Sequence, residues 1–465
     1  MNDPHSVMLL KDAFTVKDSK LKVNIMGVIV ETSFPRRSSG SDCVCVVRIV
    51  DEWHQKPEIP VIIFTERLDE LPHVKSCGDI ILLNRIVMTV YDREVSAVFN
   101  KKYSSFALFE GKSGDITPYQ ASSTFCLRNP NDLFLTRMRM WLLNYQPDGG
   151  GSDYLVSLKE IKEGRFFDLV CKILLVSEVS QDEWMLFVWN GTDAPALSFE
   201  TNWNHRLEDE AKNSLPLHLE PSPLARETLC TFPTVGTILR VSGPPGVKLG
   251  QHFQGCGQWV RLRNISCRAC SGLWHGIMMP TSKLRSLPDK DQYVTQHQRD
   301  YNDRISTYGC VPLLSYQCPR TTVTNLELKC VTLMDILTSS EVTAVFKTVV
   351  RVVATDPWKV EDFCSPGGVH DYRIRFTLED PTARVHAYLY AEEGDKFFGG
   401  KPPLNVLTSK RNILLGINEK ENSEDNNNAP RNPPWIECCI KSYYRDKSNA
   451  WGSRRFQIFG TILIP

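Results

Sequence analysis

The sequence lacks the features that mark a membrane protein. In 465 residues no run approaches the roughly 18 consecutive apolar residues that a membrane helix needs. The N-terminal segment MNDPHSVMLLKDAF carries acidic residues and has no apolar core of signal-peptide length. These absences predict a soluble intracellular protein without membrane partners.

The motifs of common enzyme classes are also missing. The chain has no GxxxxGKS/T loop, no GxGxxG after a strand, no GxSxG and no HExxH. The segment EGKS, which begins at Glu110, lacks the upstream glycine of a phosphate loop. We therefore predict a protein that is not an enzyme and that holds no cofactor.

Neither sign of charge predominates. Lys plus Arg and Asp plus Glu both number 54, so the formal net charge is zero. Domains that bind nucleic acid mainly through their overall positive charge are usually basic. A nucleic-acid site in this chain would have to be local and to depend on stacking and base-edge contacts.

The 15 cysteines show no regular framework, which predicts reduced and mostly buried thiols. Cys267 and Cys270 have the CxxC spacing that metals favour, and His275 or Cys256 could add a ligand. A structural zinc site normally needs a second pair of ligands at suitable spacing. The pattern therefore favours buried or turn cysteines and predicts no metal, with zinc as the alternative.

One order of strands occurs three times among the apolar and β-branched runs. The first copy contains KVNIMGVIVETSF, DCVCVVRIVDE, IPVIIF and CGDIILLNRIVMTVYD. The second contains RFFDLVCKILLVSEV, WMLFVWNGTDAP, TVGTILRVSG and WVRLRNISC. The third contains AVFKTVVRVVATDP, YRIRFTLEDPTARVHAYLYAEEG, RNILLGI and WIECCIKSYYR, and it ends in RRFQIFGTILI.

Five strands in this order fit the OB-fold, with another small Greek-key barrel as the alternative. Gly27 permits the bend that lets a long first strand pair with two neighbours. We predict an all-β dominated chain of three tandem OB-fold barrels with short helical caps and connectors. The predicted domains are residues 6–145, 153–305 and 325–465.

Four segments between the strands carry their own predictions. The segment PNDLFLTRMRMWLLNY, residues 130–145, is predicted to form a helix that is capped by Asn131 or Asp132 and closes the first barrel. Residues 144–154 form a Gly-rich linker. Residues 282–306 predict a polar, helix-like connector, and residues 418–434 predict a disordered loop inside the third barrel.

The first copy carries aromatic and cationic residues where OB-folds bind single strands, on strands two and three and the adjacent loops. Phe64 ends the third strand and is followed by polar residues, so we expect it to face outwards. The loop after the first strand and a later loop, residues 91–109, supply the other candidates: Phe34, Arg36, Arg37, Tyr91, Arg93, Phe99, Lys101, Lys102, Tyr103 and Phe106.

Most of these candidates have a purely structural alternative. Phe64 and Tyr91 could be core residues, and at least one of Phe106 and Phe109 must be, because they alternate with other apolar residues. Lys101 and Lys102 could form a solvated turn.

Several motifs resemble the protection of telomeres protein 1 family. In the first copy they are VVRIVD, VIIF, DELP, GDI, RIVMTVY and FALFEG. In the second they are FFDLVCKILLV, VWNGTDAP, FPTVGTILRV and MMPTSKLRSLP. The resemblance covers roughly residues 6–305, and the third copy resembles the C-terminal barrel of the family in outline. Residues 344–465 leave no room for a further inserted domain, which is similar to the compact plant branch.

The resemblance implies a nuclear protein of the chromosome and telomere that binds the single-stranded G-rich 3′ overhang and regulates telomerase access and end protection. It implies base stacking by Phe64 and places Asp42, Arg85 and Tyr91 in the same site. The first barrel would make most sequence-reading contacts, and the second would bind the 3′ side.

Two positions depart from the pattern of the family. Thr32 stands where the family has an aromatic residue, although Phe34 could replace it, and Asn84 stands where the family has a histidine. The implied partners are telomeric single-stranded DNA, telomerase, and a chromosome-end single-strand-binding complex or shelterin-like protein. We expect the last of these to dock on the third barrel, where WIECCIKSYY is predicted to form an apolar sheet edge.

Two alternatives remain from the sequence. One is an accessory subunit of telomerase or of the chromosome-end complex, which acts mainly through protein contacts and binds DNA weakly. The neutral net charge and Thr32 favour it. The other is a general single-strand binder of the replication type, which would differ in sequence preference.

Overall fold

The structure is a computed structural model that describes most of the chain. The residues outside the description are 1–5, 17–20, 34–35, 39, 76–77, 92–93, 112–114, 127–130, 146–153, 181–182, 198–218, 221–223, 244–255, 271, 288–290, 306–319, 326, 365–370, 418–430 and 465.

The first barrel closes through five strands, in the pairing order β1-β3-β4-β6-β5 and back to β1. Its elements are α1 (Leu10–Thr15), β1 (Lys22–Ser33), β2 (Arg36–Arg37), β3 (Cys43–Val50), β4 (Ile59–Thr65), β5 (Ile80–Tyr91), β6 (Glu94–Phe99), β7 (Ser105–Phe109), β8 (Gln120–Ala121) and α2 (Asn131–Leu142). A 3-10 turn, Leu68–Glu70, follows β4.

The second barrel closes in the same way, in the order β10-β11-β12-β14-β13 and back to β10. Its elements are β9 (Leu155–Val156), β10 (Phe166–Ser180), β11 (Glu183–Trp189), α3 (Arg226–Leu229), β12 (Leu239–Ser242), β13 (Trp259–Cys270), β14 (Leu273–Ser286) and α4 (Gln292–Ile305), with a 3-10 turn over Leu158–Glu160.

The third barrel is the ring β16-β17-β18-β20-β19. Its elements are β15 (Thr321–Val323), α5 (Leu333–Leu337), β16 (Val345–Asp356), β17 (Arg373–Glu379), β18 (Arg384–Tyr390), α6 (Ala391–Phe398), α7 (Leu404–Leu415), β19 (Trp435–Tyr444), β20 (Arg454–Phe459) and β21 (Thr461–Leu463), with a 3-10 turn over Val360–Phe363. The three rings confirm the prediction of an all-β dominated OB-fold protein.

A long, bent first strand closes each ring, as Gly27 illustrates in the first barrel. The N-terminal part of β1 pairs with β5 and its C-terminal part with β3. A Cβ atom on Gly27 would lie 2.9 Å from the Cβ atom of Ile49, closer than such atoms approach. A glycine is therefore needed where β1 crosses the strand beside it.

The three barrels are joined by direct packing. The end of β1 pairs with β14, with Thr32 opposite Leu284 and Ser33 opposite Lys283, so barrels one and two share one sheet. Barrels two and three share a hydrophobic core, in which Phe187 and Phe232 belong to the same buried cluster as the interior of barrel three.

Four predicted segments differ in the structure. RNILLGI was predicted as a strand, but most of it lies in helix α7, and Leu407, Leu414 and Leu415 are buried there. The first residues of the expected connector 282–306 continue strand β14, and its helix begins at Gln292. The expected loop 91–109 contains strands β6 and β7. WIECCIKSYY is not a sheet edge, because β19 pairs with both β16 and β20.

The polar segments are described only in part. Residues 146–153 of the Gly-rich linker and residues 418–430 of the loop lie outside the described residues. The end of that loop is ordered, contrary to the prediction for 418–434. Arg431 is buried there and donates hydrogen bonds to the carbonyl oxygens of Leu197 and Val353, both at 3.0 Å.

The candidate zinc ligands do not converge. Cys267 is buried in the core of barrel two, whereas Cys270 is exposed at the end of the same strand, and Cys256 is exposed. Across the described part of the chain, no group of three or more His, Cys, Asp or Glu side chains could hold a metal ion. In the same part, no helix is long and apolar enough to cross a membrane.

Candidate nucleic-acid interface

The face of barrel one that points away from its core carries Phe64. In strand β4, Val61, Ile63 and Thr65 are buried, whereas the alternating residues Ile62 and Phe64 are half-buried. Side chains alternate between the two faces of a strand, so Phe64 points outwards at the strand end.

Half-buried apolar residues surround Phe64 on this outer face. Val46 lies opposite Ile62, Ile62 lies beside Val98, and Val98 lies opposite Val87. We call these four residues together with Phe64 the outer face of barrel one. All five are partly accessible, so the face offers an apolar surface on which a base can stack.

An ion cluster borders the strand end that carries Phe64. Strand β6 runs parallel to β4, and Lys101, which follows β6, contacts Asp42 at 2.9 Å and Glu66 at 3.2 Å. The hydrogen bond from Lys101 lowers the pKa of Asp42, so this carboxylate stays charged. Asp42 therefore presents an ionised acceptor at the strand end that carries Phe64, and its charge and that of Glu66 offset the charge of Lys101.

The predicted residues Arg85 and Lys102 lie near the predicted Tyr103, together with Lys22, which was not predicted. The Lys22 ammonium lies 3.7 Å from the centre of the Tyr103 ring, and the Arg85 guanidinium lies 5.8 Å from it. Both distances fall within the range of cation–π contacts. Lys102 is exposed in the same turn, where its backbone N–H donates to Asn100 at 2.9 Å.

Arg85 has an unusual backbone conformation. Its φ angle of 56° lies in the left-handed region, which costs a residue other than glycine about 1–2 kcal/mol. The backbone N–H of Arg85 donates to Asn24 and its carbonyl accepts from Ser104. These bonds hold a bulge that leaves the Arg85 side chain exposed.

The remaining predicted residues differ in how much of each the structure describes: the whole residue, the backbone alone, or nothing. Thr32 lies on the seam between β1 and β14, and half-buried Asn84 donates to the Ser105 hydroxyl at 3.3 Å. The backbones of Arg36 and Tyr91 pair with Val44 and Glu94. The side chains of Arg36, Arg37 and Tyr91, and the whole of Phe34 and Arg93, lie outside the described part of the structure.

Two of the candidates, Phe99 and Phe106, are core residues, and for Phe106 this is the structural alternative that the sequence left open. They are 3% and 1% exposed, and their ring centres lie 6.0 Å apart inside the barrel. The strands β6 and β7 cause this burial. They also place Tyr91 at the opposite end of β6 from Lys101 and Tyr103.

A groove on barrel two was not predicted from the sequence. It has a volume of about 400 Å³ and is lined by Tyr154, Phe166, Phe167, Asp168, Arg263, Asn264, Thr281 and Lys283. Tyr154 and Phe166 are 68% and 52% exposed. Exposed aromatic rings beside cations are the components of a single-strand site. The adjacent aromatic residues Phe166 and Phe167 were the sequence signal that could have revealed this groove. Adjacent residues of a strand face opposite ways, so one of the two rings points away from the core.

Glu31 links this groove to the outer face of barrel one. Its buried carboxylate contacts Arg263 at 2.9 Å and both Lys283 and Arg48 at 3.4 Å. Burial raises the pKa of Glu31, but these three cations outweigh burial and the pKa is lowered. A charged Glu31 therefore ties three cations together at the seam between the barrels.

Comparison with known proteins decides the family. Residues 9–148 match a family model described as "Telomeric single stranded DNA binding POT1/CDC13", and residues 317–449 match one described as "POT1A-like, OB fold domain". Protection of telomeres protein 1b of Arabidopsis thaliana is 37% identical over 99% of this chain and 98% of its own length. The chain belongs to the protection of telomeres protein 1 family.

Two further relatives show which branch of the protection of telomeres protein 1 family is similar in layout. Protection of telomeres protein 1a of Arabidopsis thaliana is 36% identical over 99% of this chain and 98% of its own length. The human protection of telomeres protein 1 is 29% identical, over 60% of this chain and 42% of its own length. The full-length correspondence with the plant proteins agrees with the compact three-barrel layout. Membership supports binding of single-stranded telomeric DNA and protection of chromosome ends.

Proposed function

We propose that the chain binds the G-rich single strand of chromosome ends through the outer face of barrel one. The observation that carries this proposal is the outward position of Phe64, at a strand end bordered by the charged carboxylate of Asp42. Phe64 supplies a stacking surface, and Asp42 supplies an acceptor for the N–H groups on the edge of guanine.

The strand would continue from barrel one to the groove on barrel two. Strand β4 runs from Phe64 through Ile62 to the buried Pro60, which pairs with Arg48 on the neighbouring strand. The four residue steps from Phe64 to Pro60 span about 14 Å. Arg48 then meets the Glu31 cluster, whose Arg263 and Lys283 line the groove with the exposed Phe166. Barrel one would read most of the sequence, and barrel two would hold the 3′ side.

Stacking and base-edge contacts, more than bulk charge, would provide the affinity. The chain has zero net charge, and Lys101 is already paired with two carboxylates. Base–aromatic stacking contributes about 1–3 kcal/mol per base. In this proposal the protein acts in the nucleus without catalysis. By occupying the 3′ end it regulates the access of telomerase.

The alternative proposal is an accessory subunit that binds DNA weakly and acts through proteins. The two carboxylates that offset Lys101 favour it, as does Thr32, whose position on the seam with β14 contributes no stacking ring. Telomerase and a chromosome-end single-strand-binding complex or shelterin-like protein are the proposed partners, the latter at barrel three.

Strand discrimination tests the proposal. Fluorescence anisotropy would compare a G-rich telomeric-repeat oligonucleotide with its C-rich complement and a scrambled strand at physiological salt. Tight binding to the G-rich strand alone supports the proposal. Equal binding to all three strands supports a general single-strand binder, and weak binding to all three supports the accessory subunit.

A further inference from the structure

Barrel three carries an aromatic and cationic surface on its own strands two and three. Along β17 and β18, Ile374, Phe376, Ala387 and Leu389 point into the core, so the alternating residues point outwards. The outward residues pair across the strands as Arg373 with Tyr390, Arg375 with Tyr388 and Thr377 with His386. We call these six residues the outer face of barrel three.

The tyrosines of this face form a preformed stack. The rings of Tyr388 and Tyr390 lie 5.3 Å apart at an interplanar angle of 7°. Tyr443 on β19 interacts with both Tyr388 and Tyr390, and all three side chains are half-buried. Parallel, partly exposed rings at fixed positions leave ring surface on which a base can continue the stack.

Cations surround the stack from several strands. Arg373 and Arg445 are exposed, and Arg455 on β20 lies opposite Tyr443. Lys441 lies opposite Gln457, which lies beside Tyr388. Two carboxylates oppose these cations: Asp356 contacts Arg375 at 3.5 Å, and Glu393 interacts electrostatically with Lys441. The charge around the tyrosines is therefore predominantly positive.

The protonation of neighbouring groups agrees with a positive, semi-buried surface. Burial, together with Arg375, Arg384 and Arg455, lowers the pKa of His386 to about 4. Burial and the other two tyrosines raise the pKa of Tyr390 to about 12. His386 and Tyr390 are therefore neutral at pH 7, and the positive charge of the face comes from its arginines.

From this arrangement we infer that the outer face of barrel three binds single-stranded nucleic acid, with the tyrosines stacking on bases and the arginines contacting phosphates. Strands two and three form the face through which OB-folds bind oligonucleotides. The anionic backbone and the flat bases of a single-stranded nucleic acid complement a surface on which arginines surround aromatic rings. This site is separate from the outer face of barrel one and does not rest on the function proposed for it.

Contact mapping on the full chain tests the inference directly. Oligo-dT and oligo-U carrying photoreactive 4-thio-pyrimidines would be crosslinked to the protein, and the crosslinked peptides would be identified by mass spectrometry. We expect crosslinks within β17, β18, β19 or β20 that persist in Phe64→Ala. The DNA and RNA arms distinguish the two sources of single strands. Crosslinks confined to barrels one and two with both probes would overturn the inference.

Paired variants measure the contribution of the stack in the Phe64→Ala background. The change Tyr388→Ala with Tyr390→Ala should weaken oligonucleotide binding by roughly tenfold or more, since two stacking rings are lost. Tyr388→Phe with Tyr390→Phe keeps both rings and should bind like the parent. Equal affinities for the alanine and phenylalanine pairs would contradict the inference.

A third variant keeps the test valid if the alanine pair fails to fold. The exposed side chain of Arg373 can be changed to Gln without disturbing the core. Loss of one phosphate contact should reduce the slope of log affinity against log salt by about 0.7. An unchanged slope in Arg373→Gln, with oligonucleotide binding intact, would also count against the inference.

Discussion

At the scale of single residues, Arg85 shows how a proposed contact residue is held in place at a cost. Its left-handed backbone is fixed by Asn24 on one side and Ser104 on the other. Strained residues cluster at binding sites, where the surrounding structure maintains them. At Arg85, relief of the backbone strain should therefore raise stability, whereas loss of the side chain should weaken binding.

We predict that Arg85→Gly is more stable than Arg85→Ala by about 1 kcal/mol, because glycine adopts the left-handed region without strain. At an ordinary strand position glycine would be the less stable of the two. Both variants should bind the G-rich oligonucleotide more weakly than the parent. Urea denaturation and anisotropy measure the two effects, and a more stable alanine variant would refute the assignment of strain.

At the scale of elements, most strands could be predicted from the sequence, but helix α7 and the polar end of strand β14 could not. Alternation and β-branching identified β1, β3, β4 and β5, and the close approach at Gly27 followed from the bend of β1. RNILLGI was mistaken for a strand because a short apolar run does not by itself distinguish a strand from a buried helix.

Long-range pairing explains the other errors. The polar end of β14 becomes a strand because it pairs with β1 and β13. The site was predictable in its aromatic residue, Phe64, whose position follows from local alternation. The contacts of Lys101 with two carboxylates could not be predicted, because Asp42, Glu66 and Lys101 come from three separate turns.

Strand β17 ends in a buried charge cluster that yields a pH prediction. Glu379 contacts Arg351 at 2.6 Å and Arg384 at 2.7 Å, and these arginines donate to carbonyl oxygens of barrel two. Burial raises the pKa of Glu379, but the two arginines outweigh burial and lower it to about 2. A lowered pKa stabilises the fold above the unfolded pKa near 4.5, and this stabilisation is lost as the pH falls towards 2.

We predict that Glu379→Gln lowers the free energy of unfolding at pH 7 by about 3–5 kcal/mol, because two buried cations lose their partner. The difference from the parent should shrink as the pH falls from 4.5 towards 2. Chemical denaturation across this range measures it, with the exposed Glu392→Gln as control. A difference that stays constant with pH would show that Glu379 is not the titrating group.

At the scale of the whole molecule, the seam between barrels one and two sets the direction of the proposed DNA path. Two residue pairs and the Glu31 cluster form this seam, and Arg285 adds a contact with Glu58 at 3.6 Å. If the seam loosens, the groove of barrel two no longer lies in line with the outer face of barrel one.

We predict that Glu31→Gln destabilises the seam by about 3 kcal/mol, since it leaves three cations around a buried site without their anion. The matched change Glu58→Gln should cost less than about 1 kcal/mol, because its ion pair is longer and more exposed. Small-angle scattering should show a larger radius of gyration for Glu31→Gln alone. Equal behaviour of the two variants would contradict the role of Glu31 in holding the seam together.

The central claim is that the outer face of barrel one binds the G-rich strand by stacking, and Phe64→Ala tests it most directly. The expected loss is about 1–3 kcal/mol of binding to the G-rich oligonucleotide, as for one stacked base. Phe64→Trp should retain binding, and Leu133→Ala, an exposed apolar change in α2, should leave it unchanged. Undiminished binding by a correctly folded Phe64→Ala protein would contradict the account.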